Sequence, residues 1–345
     1  MNKTPLLLAT LLLAACGDAP APDSGAQASH GKPKPEPVSI PDSMLAAYGP
    51  LPAHYHGEVE PSQAMIDLGR QLYFDPRLSS DDTVSCNSCH DLANFGVDSE
   101  PTSPGVGGAR GGRNSPTVYM AAGHISQFWD GREPDVEAQA KGPILNPIEM
   151  AMPSAEAVEA KLASIEGYVT AFNAAFPESN PSLSYDNLAT AIGAFERGLV
   201  TPAAWDRFLA GNENALTEQQ RRGFLAFNKT GCQTCHMGPL FGGNMSQKLG
   251  LLRPWPGNED MGIGALTGNE AQNEFFKVPS LRNITRTGPY LHDGSIIDLS
   301  EVVRMMAKYQ LDKELTSRDL ADIVAFLGAL EGEIDSAYTA APSLP

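Results

Sequence analysis

Apolar residues recur at intervals of three and four along several stretches of the chain, which predicts amphipathic helices. One stretch begins after Pro61, and Asp75-Pro76 ends it because the residue before a proline disfavours helical backbone. Two longer stretches cover residues 155–176 and 185–199. Each is long enough to predict a helix of several turns.

The second half of the chain repeats this pattern. Thr217 and Gln220 have the spacing of a capping box, which predicts the start of a helix that continues through Phe227. Helices are also predicted over residues 299–309 and 317–330. The stretches 94–113 and 238–275 are rich in Gly and Pro and predict long loops. No convincing strand-like alternation is present, so the predicted fold is mainly α.

A five-residue motif carries the chemistry. Two cysteines separated by two residues and followed by histidine are typical of a c-type haem attachment site. On one helical turn both thiols reach the vinyl groups of a porphyrin, and the imidazole binds the iron. Zinc or a disulfide pair is the alternative, although a zinc site usually pairs its CxxC units. The motif occurs in each half of the chain, as Cys86-Asn87-Ser88-Cys89-His90 and Cys232-Gln233-Thr234-Cys235-His236.

The order helix, haem motif, glycine-rich loop and closing helices therefore occurs twice. This predicts two cytochrome c-like domains, each with one covalent c-type haem. The N-terminal haem domain is predicted over residues 46–205 and the C-terminal haem domain over residues 206–335, with a tail over 336–345. A length of 345 residues is sufficient for two such domains.

The N-terminus resembles an export signal. Residues 1–15 combine a basic start with an apolar run too short to span a bilayer. Their end, Leu13-Ala14-Ala15-Cys16, resembles a bacterial lipobox and implies a lipid on Cys16 that anchors the protein to a membrane. The alternative is an ordinary signal that leaves a soluble periplasmic protein. Residues 16–45 predict a flexible tether, in which His30 is expected to be inert.

The net charge of −17 argues against nucleic acid as a partner. The acidic groups could attract a basic patch on an electron donor, or they could simply form a solvated surface. Export agrees with the haem motifs, because bacterial c-type haem is attached outside the cytoplasm. The predicted location is the bacterial periplasm.

Beyond the haem motifs, a series of short motifs resembles the bacterial di-haem cytochrome c peroxidase family, which includes the MauG-type enzymes. The resemblance covers about residues 64–330. It rests on Phe74-Asp75-Pro76-Arg77-Leu78-Ser79, Asn114-Ser115-Pro116-Thr117, Phe128-Trp129-Asp130-Gly131-Arg132, Gly142-Pro143-Ile144, Asn146-Pro147-Ile148-Glu149-Met150, Phe276-Lys277-Val278-Pro279-Ser280-Leu281-Arg282-Asn283 and Pro289-Tyr290-Leu291-His292-Asp293-Gly294.

The resemblance implies a division of labour between the haems. The haem on His90 would be the peroxidatic one, and the haem on His236 would receive electrons. Met306 matches the family's second ligand to the second iron, and a thioether ligand raises the haem potential. The adjacent Met305 is expected to pack in the core. A methionine at this place disfavours the MauG branch, in which a tyrosine replaces it.

Three further residues match functional positions of the family. Glu149 matches the distal glutamate, which moves a proton between the peroxide oxygens. Gln139 matches a distal glutamine that hydrogen-bonds near the same iron. Trp129 matches an aromatic residue between the haems, where it assists electron passage or fills the interface. Without the resemblance, Glu149 would be read as a loop carboxylate and Gln139 as part of a polar helix face.

The family also holds calcium between its domains, and Asn114, Thr287 and Pro289 match those positions. Oxygen ligands with several waters suit calcium, although a loop Asn can also cap its own turn. Many members carry a histidine in the loop after the first haem that ligates the resting peroxidatic iron. Here that place reads Gly105-Val106-Gly107, so we expect little or no reductive activation.

The expected reaction is the reduction of hydrogen peroxide to water with electrons from a small periplasmic cytochrome c or cupredoxin. One alternative is a MauG-like oxidase of a protein substrate. Another is a di-haem electron-transfer cytochrome whose first iron is closed by Met150 or Met152. Family members are commonly dimers, so a homodimer is possible.

The remaining histidines have no motif. His292 is expected to be structural near the second haem. His54, His56 and His124 are expected to be satisfied surface or core residues.

Overall fold

The structure is a computed structural model that describes residues 38–57 and 60–345. The predicted signal, Cys16, His30 and the first part of the tether lie outside the described residues. The mainly α prediction is confirmed. The α-helices within the described ranges are α1 Asp42–Leu45, α2 Gln63–Phe74, α3 Cys86–Cys89, α4 Val136–Leu145, α5 Ala155–Ala163, α6 Glu166–Ala175, α7 Tyr185–Glu196, α8 Ala204–Leu209, α9 Glu218–Thr230, α10 Ile263–Thr267, α11 Leu299–Met305 and α12 Ser317–Gly328.

Helices α2 and α7 form the centre of the first half. Ser62 caps α2 by accepting a hydrogen bond from the backbone N–H of Met65. The helices approach so closely that a Cβ on Gly69 would lie 1.8 Å from the carbonyl oxygen of Ala191. Their buried faces join α4, α5 and α6 in one hydrophobic cluster, called here the first cluster. The glycine is needed because any side chain would push the two helices apart.

The prediction of a single helix over residues 155–176 is wrong. The chain forms α5 and α6, separated by Ser164 and by Ile165, whose backbone is extended. The side chain of Ser164 donates a hydrogen bond to the carbonyl oxygen of Lys161 and so satisfies the end of α5. Both helices bury their apolar faces in the first cluster, which is why the helical periodicity continues across the break.

Helices α9 and α12 form the centre of the second half. The predicted capping box is confirmed, since Thr217 and Gln220 exchange hydrogen bonds at the start of α9. A Cβ on Gly223 would lie 1.9 Å from the carbonyl oxygen of Asp322, so these helices also cross closely. The surrounding hydrophobic cluster, called here the second cluster, is rich in aromatic rings packed around Trp205 and Phe326.

Some residues of the predicted tether and of the predicted tail pack against the rest of the protein. Ile40 is buried in the second cluster, and the backbone N–H of Val38 donates to Glu218. At the other end, Tyr338 stacks on Phe195 and donates a hydrogen bond to its carbonyl oxygen at 2.7 Å. Residues 38–345 form one compact unit. The predicted boundary between residues 205 and 206 falls inside α8, whose Trp205 belongs to the second cluster.

A short antiparallel pair of strands, β1 Ser246–Lys248 and β2 Phe275–Lys277, was not predicted. Three residues are too few to show strand-like alternation in the sequence. After α11 the chain continues as a π-helical turn over Met306–Gln310. Among the described residues, no helix combines the length and apolarity needed to cross a membrane.

Candidate active site

Each CxxCH motif lies in the wall of its own cavity. The first cavity has a volume of about 1490 Å³, and its wall includes His90 with both cysteines of its motif. The second cavity has a volume of about 1530 Å³, and its wall includes His236 with both of its cysteines. Both volumes include space open to solvent. Each half of the chain therefore provides one large cavity beside one motif.

Both motifs form the helical turn that haem attachment requires. The backbone N–H of His90 donates to the carbonyl oxygen of Cys86 at 2.9 Å, and that of His236 donates to Cys232 at the same distance. Within the described residues all four cysteines are free. The described part of the chain contains no cluster of zinc-ligating side chains at either motif. The disulfide and zinc alternatives therefore do not fit, whereas a covalent haem does.

Both histidines are buried, and burial lowers the pKa of His90 and of His236 below the ordinary value. A neutral imidazole is the form that binds iron. The ring of His236 is oriented by its Nδ1, which lies 3.0 Å from the carbonyl oxygen of Phe241. Such a contact leaves Nε2 for a metal. The Nδ1 of His90 has no hydrogen-bond partner within the described chain.

The first cavity also contains Glu149 and Gln139 in its wall. Burial raises the pKa of the Glu149 carboxyl, while the positive charge of Arg132 and a hydrogen bond with Asn146 oppose this rise. Gln139 lies on α4, which is capped by Asp135, whose side chain accepts a hydrogen bond from the backbone N–H of Ala138. A carboxyl in a cavity wall can both accept and return a proton.

The loop after the first motif supports Glu149 directly. The backbone N–H of Val106 donates to the carbonyl oxygen of Glu149 at 2.8 Å. A Cβ on Gly105 would lie 2.2 Å from the carbonyl oxygen of Ile148. Any other residue at position 105 would therefore move the backbone that carries Glu149.

The structure places Val106 against the first cluster rather than in the wall of the first cavity. Of the two methionines considered as ligands to the first iron, Met150 contributes to the cavity wall and Met152 does not. Both are buried in the first cluster.

In the second cavity the structure places Met306, the first residue of the π-helical turn, in the wall together with His236. Met305 lies outside this wall and packs in a neighbouring hydrophobic cluster. π-Helical turns occur frequently at functional sites because they redirect side chains. Gln310 ends the turn, and its side-chain oxygen accepts a hydrogen bond from the backbone N–H of Leu251 at 2.9 Å.

The two cavities share part of their walls, including Trp129 and Asn114. The indole N–H of Trp129 donates to the carbonyl oxygen of Asn114 at 2.9 Å. Asn114, Thr287 and Pro289, the residues predicted to bind calcium, all line the second cavity. The ring of His292 belongs to the same wall and stacks on Phe276 with a centroid distance of 4.2 Å.

The sequence analysis missed a buried basic pair in the shared wall. The Nζ of Lys277 lies 3.2 Å from His124 Nδ1 and donates to the carbonyl oxygen of Ser126 at 2.7 Å. Burial lowers the pKa of Lys277 to about 8. His124 was expected to be satisfied, but its Nε2 is buried and has no partner among the residues described. The one signal for this pair was the position of Lys277 between the apolar residues Phe276 and Val278.

Glu196 was also missed. It ends α7 and lies buried in the wall of the first cavity. Its burial and the nearby negative charge of Glu137 raise the pKa of its carboxyl to about 8. The neighbouring Arg197 does not neutralise it, because that guanidinium binds Glu137 at 2.7 and 2.8 Å. A carboxylate that follows a long apolar run was the available signal.

Comparison with known proteins agrees with this arrangement. A family model described as di-haem cytochrome c peroxidase matches residues 63–214. The cytochrome c551 peroxidase of Pseudomonas aeruginosa is 42% identical over 79% of this chain and 80% of its own length. The methylamine utilization protein MauG of Methylorubrum extorquens is 35% identical over 81% of each chain.

The fold is similar to a crystal structure of a MauG-like protein associated with microbial copper homeostasis, with a TM-score of 0.73 and 28% identity. That similarity covers 90% of this chain and 99% of the other. One relative is more than 40% identical to this chain over four fifths of its own length, and each haem motif lies in the wall of its own cavity. Together these observations identify the family. The chain belongs to the di-haem cytochrome c peroxidase family.

Proposed function

We propose that the protein reduces hydrogen peroxide to water with electrons from a small periplasmic cytochrome c or cupredoxin. The observation that carries this proposal is the difference between the two cavities. The wall of the first cavity contains two carboxyls, Glu149 and Glu196, and the amide of Gln139, whereas among the described residues no carboxyl lines the second cavity, whose wall contains the thioether of Met306 beside His236. One site is therefore suited to a substrate that exchanges protons, and the other to electron transfer.

Each haem would be attached through the two cysteines of its motif, with His90 and His236 as the proximal ligands. When bound, the haems supply the redox chemistry and accept or deliver one electron at a time. Met306 would complete the ligation in the second cavity. A thioether ligand would favour the reduced state of a haem, which suits a site that receives electrons.

Glu149 would manage the protons of the substrate. Its carboxylate would accept a proton from one peroxide oxygen and return it to the other, which would then leave as water when the O–O bond breaks. The complete reaction consumes one peroxide, two electrons and two protons and yields two waters. Gln139 would orient the substrate by hydrogen bonding, because an amide donates and accepts without changing its charge.

Trp129 lies in the wall that both cavities share, so we place it on the electron path between them. Its indole is held by the hydrogen bond to Asn114, which fixes the ring in the wall. We also propose calcium at Asn114, Thr287 and Pro289, where it would stabilise the same wall. Elemental analysis of protein purified without chelator tests for one bound calcium.

The direct test of the reaction is a stopped-flow mix of hydrogen peroxide with the holoprotein, fully oxidised or half-reduced, followed by turnover with a reduced monohaem cytochrome c. The proposal expects peroxide to be consumed with two donor electrons per molecule. Absence of any fast reaction with peroxide in both redox states would contradict it and would favour the electron-transfer cytochrome.

The same experiment bears on Val106. With no histidine in the loop after the first motif, we expect the fully oxidised protein to react without prior reduction. A purely low-spin resting spectrum with bis-histidine character would contradict this expectation. MauG-type oxidation of a protein is not proposed, because Met306 stands where that branch carries tyrosine.

At the N-terminus we propose a lipid on Cys16 that holds the enzyme near the electron carriers of a membrane. The mass of the mature N-terminal peptide tests for the lipid, and the mass of the particle in solution tests for a homodimer.

A further inference from the structure

Two histidines and a glutamate form a cluster outside both haem cavities. His54 Nε2 lies 2.9 Å from one oxygen of Glu60, and His56 Nδ1 lies 3.6 Å from the other. One ligand atom from each of the three side chains lies within 4.8 Å of the other two. In the described part of the chain this is the one group of three or more His, Cys, Asp or Glu side chains so arranged.

His56 is the unusual member of the cluster. Its side chain is only 7% exposed, yet neither ring nitrogen has a hydrogen-bond partner within the described residues. The separation of 3.6 Å from Glu60 is too long for a hydrogen bond. Buried polar atoms are nearly always paired, so an imidazole with two unpaired nitrogens calls for a ligand that is absent from the protein chain itself.

We propose that His54 Nε2, His56 Nδ1 and a carboxylate oxygen of Glu60 bind one divalent transition metal ion of the Zn²⁺ class. Two imidazoles and a carboxylate are a known zinc ligand set, with water in the fourth position. Ca²⁺ and Mg²⁺ do not suit this site, because they take oxygen ligands and two of the three ligand atoms here are imidazole nitrogens.

The distances fit such an ion. With bonds of about 2.0–2.2 Å, tetrahedral zinc holds neighbouring ligand atoms roughly 3.4 Å apart. The two measured separations from Glu60, 2.9 and 3.6 Å, lie on either side of this value. The imidazole rings stack with a centroid distance of 4.4 Å and an interplanar angle of 23°. Binding therefore turns the ring of His54, which is 37% exposed and has room to move.

The backbone between the two histidines is attached to the end of α7. The N–H of Tyr55 donates to the carbonyl oxygen of Arg197 at 2.8 Å, and the Arg197 guanidinium donates to the carbonyl oxygen of Tyr55 at 3.0 Å. None of the three proposed ligands lies in the wall of either haem cavity. The metal would therefore be structural, fixing this segment against α7, and it does not depend on the peroxidase reaction.

The test is a calorimetric titration of the haem-loaded protein with Zn²⁺. It is carried out in saturating Ca²⁺ so that the proposed calcium site is filled. We expect one equivalent of Zn²⁺ to bind to the wild type. His56→Gln and Glu60→Gln should each weaken this binding at least tenfold, and so should His54→Gln, which changes a more exposed ring. Glu178→Gln, which alters an exposed glutamate elsewhere, is the matched control and should bind as the wild type does.

Each variant is first compared with the wild type in haem absorbance and in melting temperature with a chelator present. Excess Zn²⁺ should raise the melting temperature of the wild type and of the Glu178 control, but not that of the His54 or Glu60 variants. Absence of Zn²⁺ binding to the wild type would overturn the proposal. Equal affinity in the His54, His56 and Glu60 variants would overturn it as well.

Discussion

Three ionisable side chains in the walls of the haem cavities have pKa values that are shifted toward the neutral form. Burial raises the pKa of Glu149 and that of Glu196, and it lowers the pKa of Lys277 to about 8. The largest cause of each shift is burial, since a cavity wall gives a charge less solvation than water does. The three groups lie beside the predicted substrate site, where they can exchange protons.

Glu149→Gln should remove peroxidase turnover while leaving both haem spectra nearly unchanged. The amide keeps the shape of the side chain but cannot accept a proton, and the loss of a positioned acid–base group lowers rates by about 10²–10⁴-fold. Steady-state peroxide consumption measures the effect, with Glu178→Gln as the control at an exposed position. A full rate in the Glu149→Gln variant would show that the proton is moved by another group.

Glu196→Gln should change the pH dependence of stability. The pKa of this carboxyl is about 8 in the fold, against about 4.5 when it is solvated. The folded state therefore holds a proton that the unfolded state has released between these values, so this contribution to stability is fully present below pH 4.5 and is lost as pH rises toward 8. The amide stays neutral at every pH.

The melting temperature of the Glu196 variant should therefore match the wild type near pH 4, exceed it increasingly up to pH 8 and remain above it at higher pH. Thermal unfolding followed by circular dichroism across this range gives the difference. A difference independent of pH would show that Glu196 is ionised in the folded protein.

At the scale of elements, the helical periodicity predicted that α2, α7, α9 and α12 exist, because each buries one continuous apolar face. It did not predict the break between α5 and α6, since both helices turn their apolar faces to the same cluster. The sequence did not predict the packing of residues 38–45, because a few apolar residues within a Pro-rich stretch show no periodicity.

Gly105→Ala should impair catalysis more than stability. The new Cβ would meet the backbone of Ile148 and Glu149 and displace the carboxyl from the cavity wall. Gly112→Ala, in the same loop, meets no atom within 4 Å and serves as the matched control. Measurement of kcat/KM should show a clear loss for the first variant and none for the second. Equal values would mean that this loop does not position Glu149.

Met306→Leu should lower the reduction potential of the second haem and slow electron entry from the donor. Leucine preserves the volume but removes the sulfur, and axial ligands set haem potentials over a range of about 0.8 V. Met305→Leu is the matched control, because Met305 lies outside the cavity wall. Potentiometric titration monitored by haem absorbance measures the reduction potential in both variants. A shift of the reduction potential in the Met305 variant alone would show that Met305, and not Met306, is the ligand.

At the scale of the whole molecule, the two cavities meet at a wall assembled from distant parts of the sequence. The haem attachment residues could be predicted because the motif is local. Glu149 and Met306 required the family resemblance. The pairing of Lys277 with His124 joins residues 153 positions apart, and no local pattern encodes such a contact.

Beside the shared wall, an arginine joins distant parts of the chain by ion pairs. Arg113, in the loop after the first motif, donates to Asp130 at 2.6 Å and to Asp260 at 2.7 and 2.9 Å. Such bidentate pairs hold their partners in a fixed geometry. Arg113 and Asp130 are the sequence neighbours of Asn114 and Trp129, which belong to the shared wall, so this ion pair helps to hold that wall.

The central claim is that the haem of the first cavity is open to an external ligand, whereas the haem of the second is closed by Met306. Titration of the fully oxidised holoprotein with cyanide, followed by electron paramagnetic resonance, tests it most directly. The account predicts that one equivalent binds, that only the signal of the first haem changes, and that Met306→Leu allows a second equivalent. Absence of cyanide binding to the wild-type protein would contradict the claim.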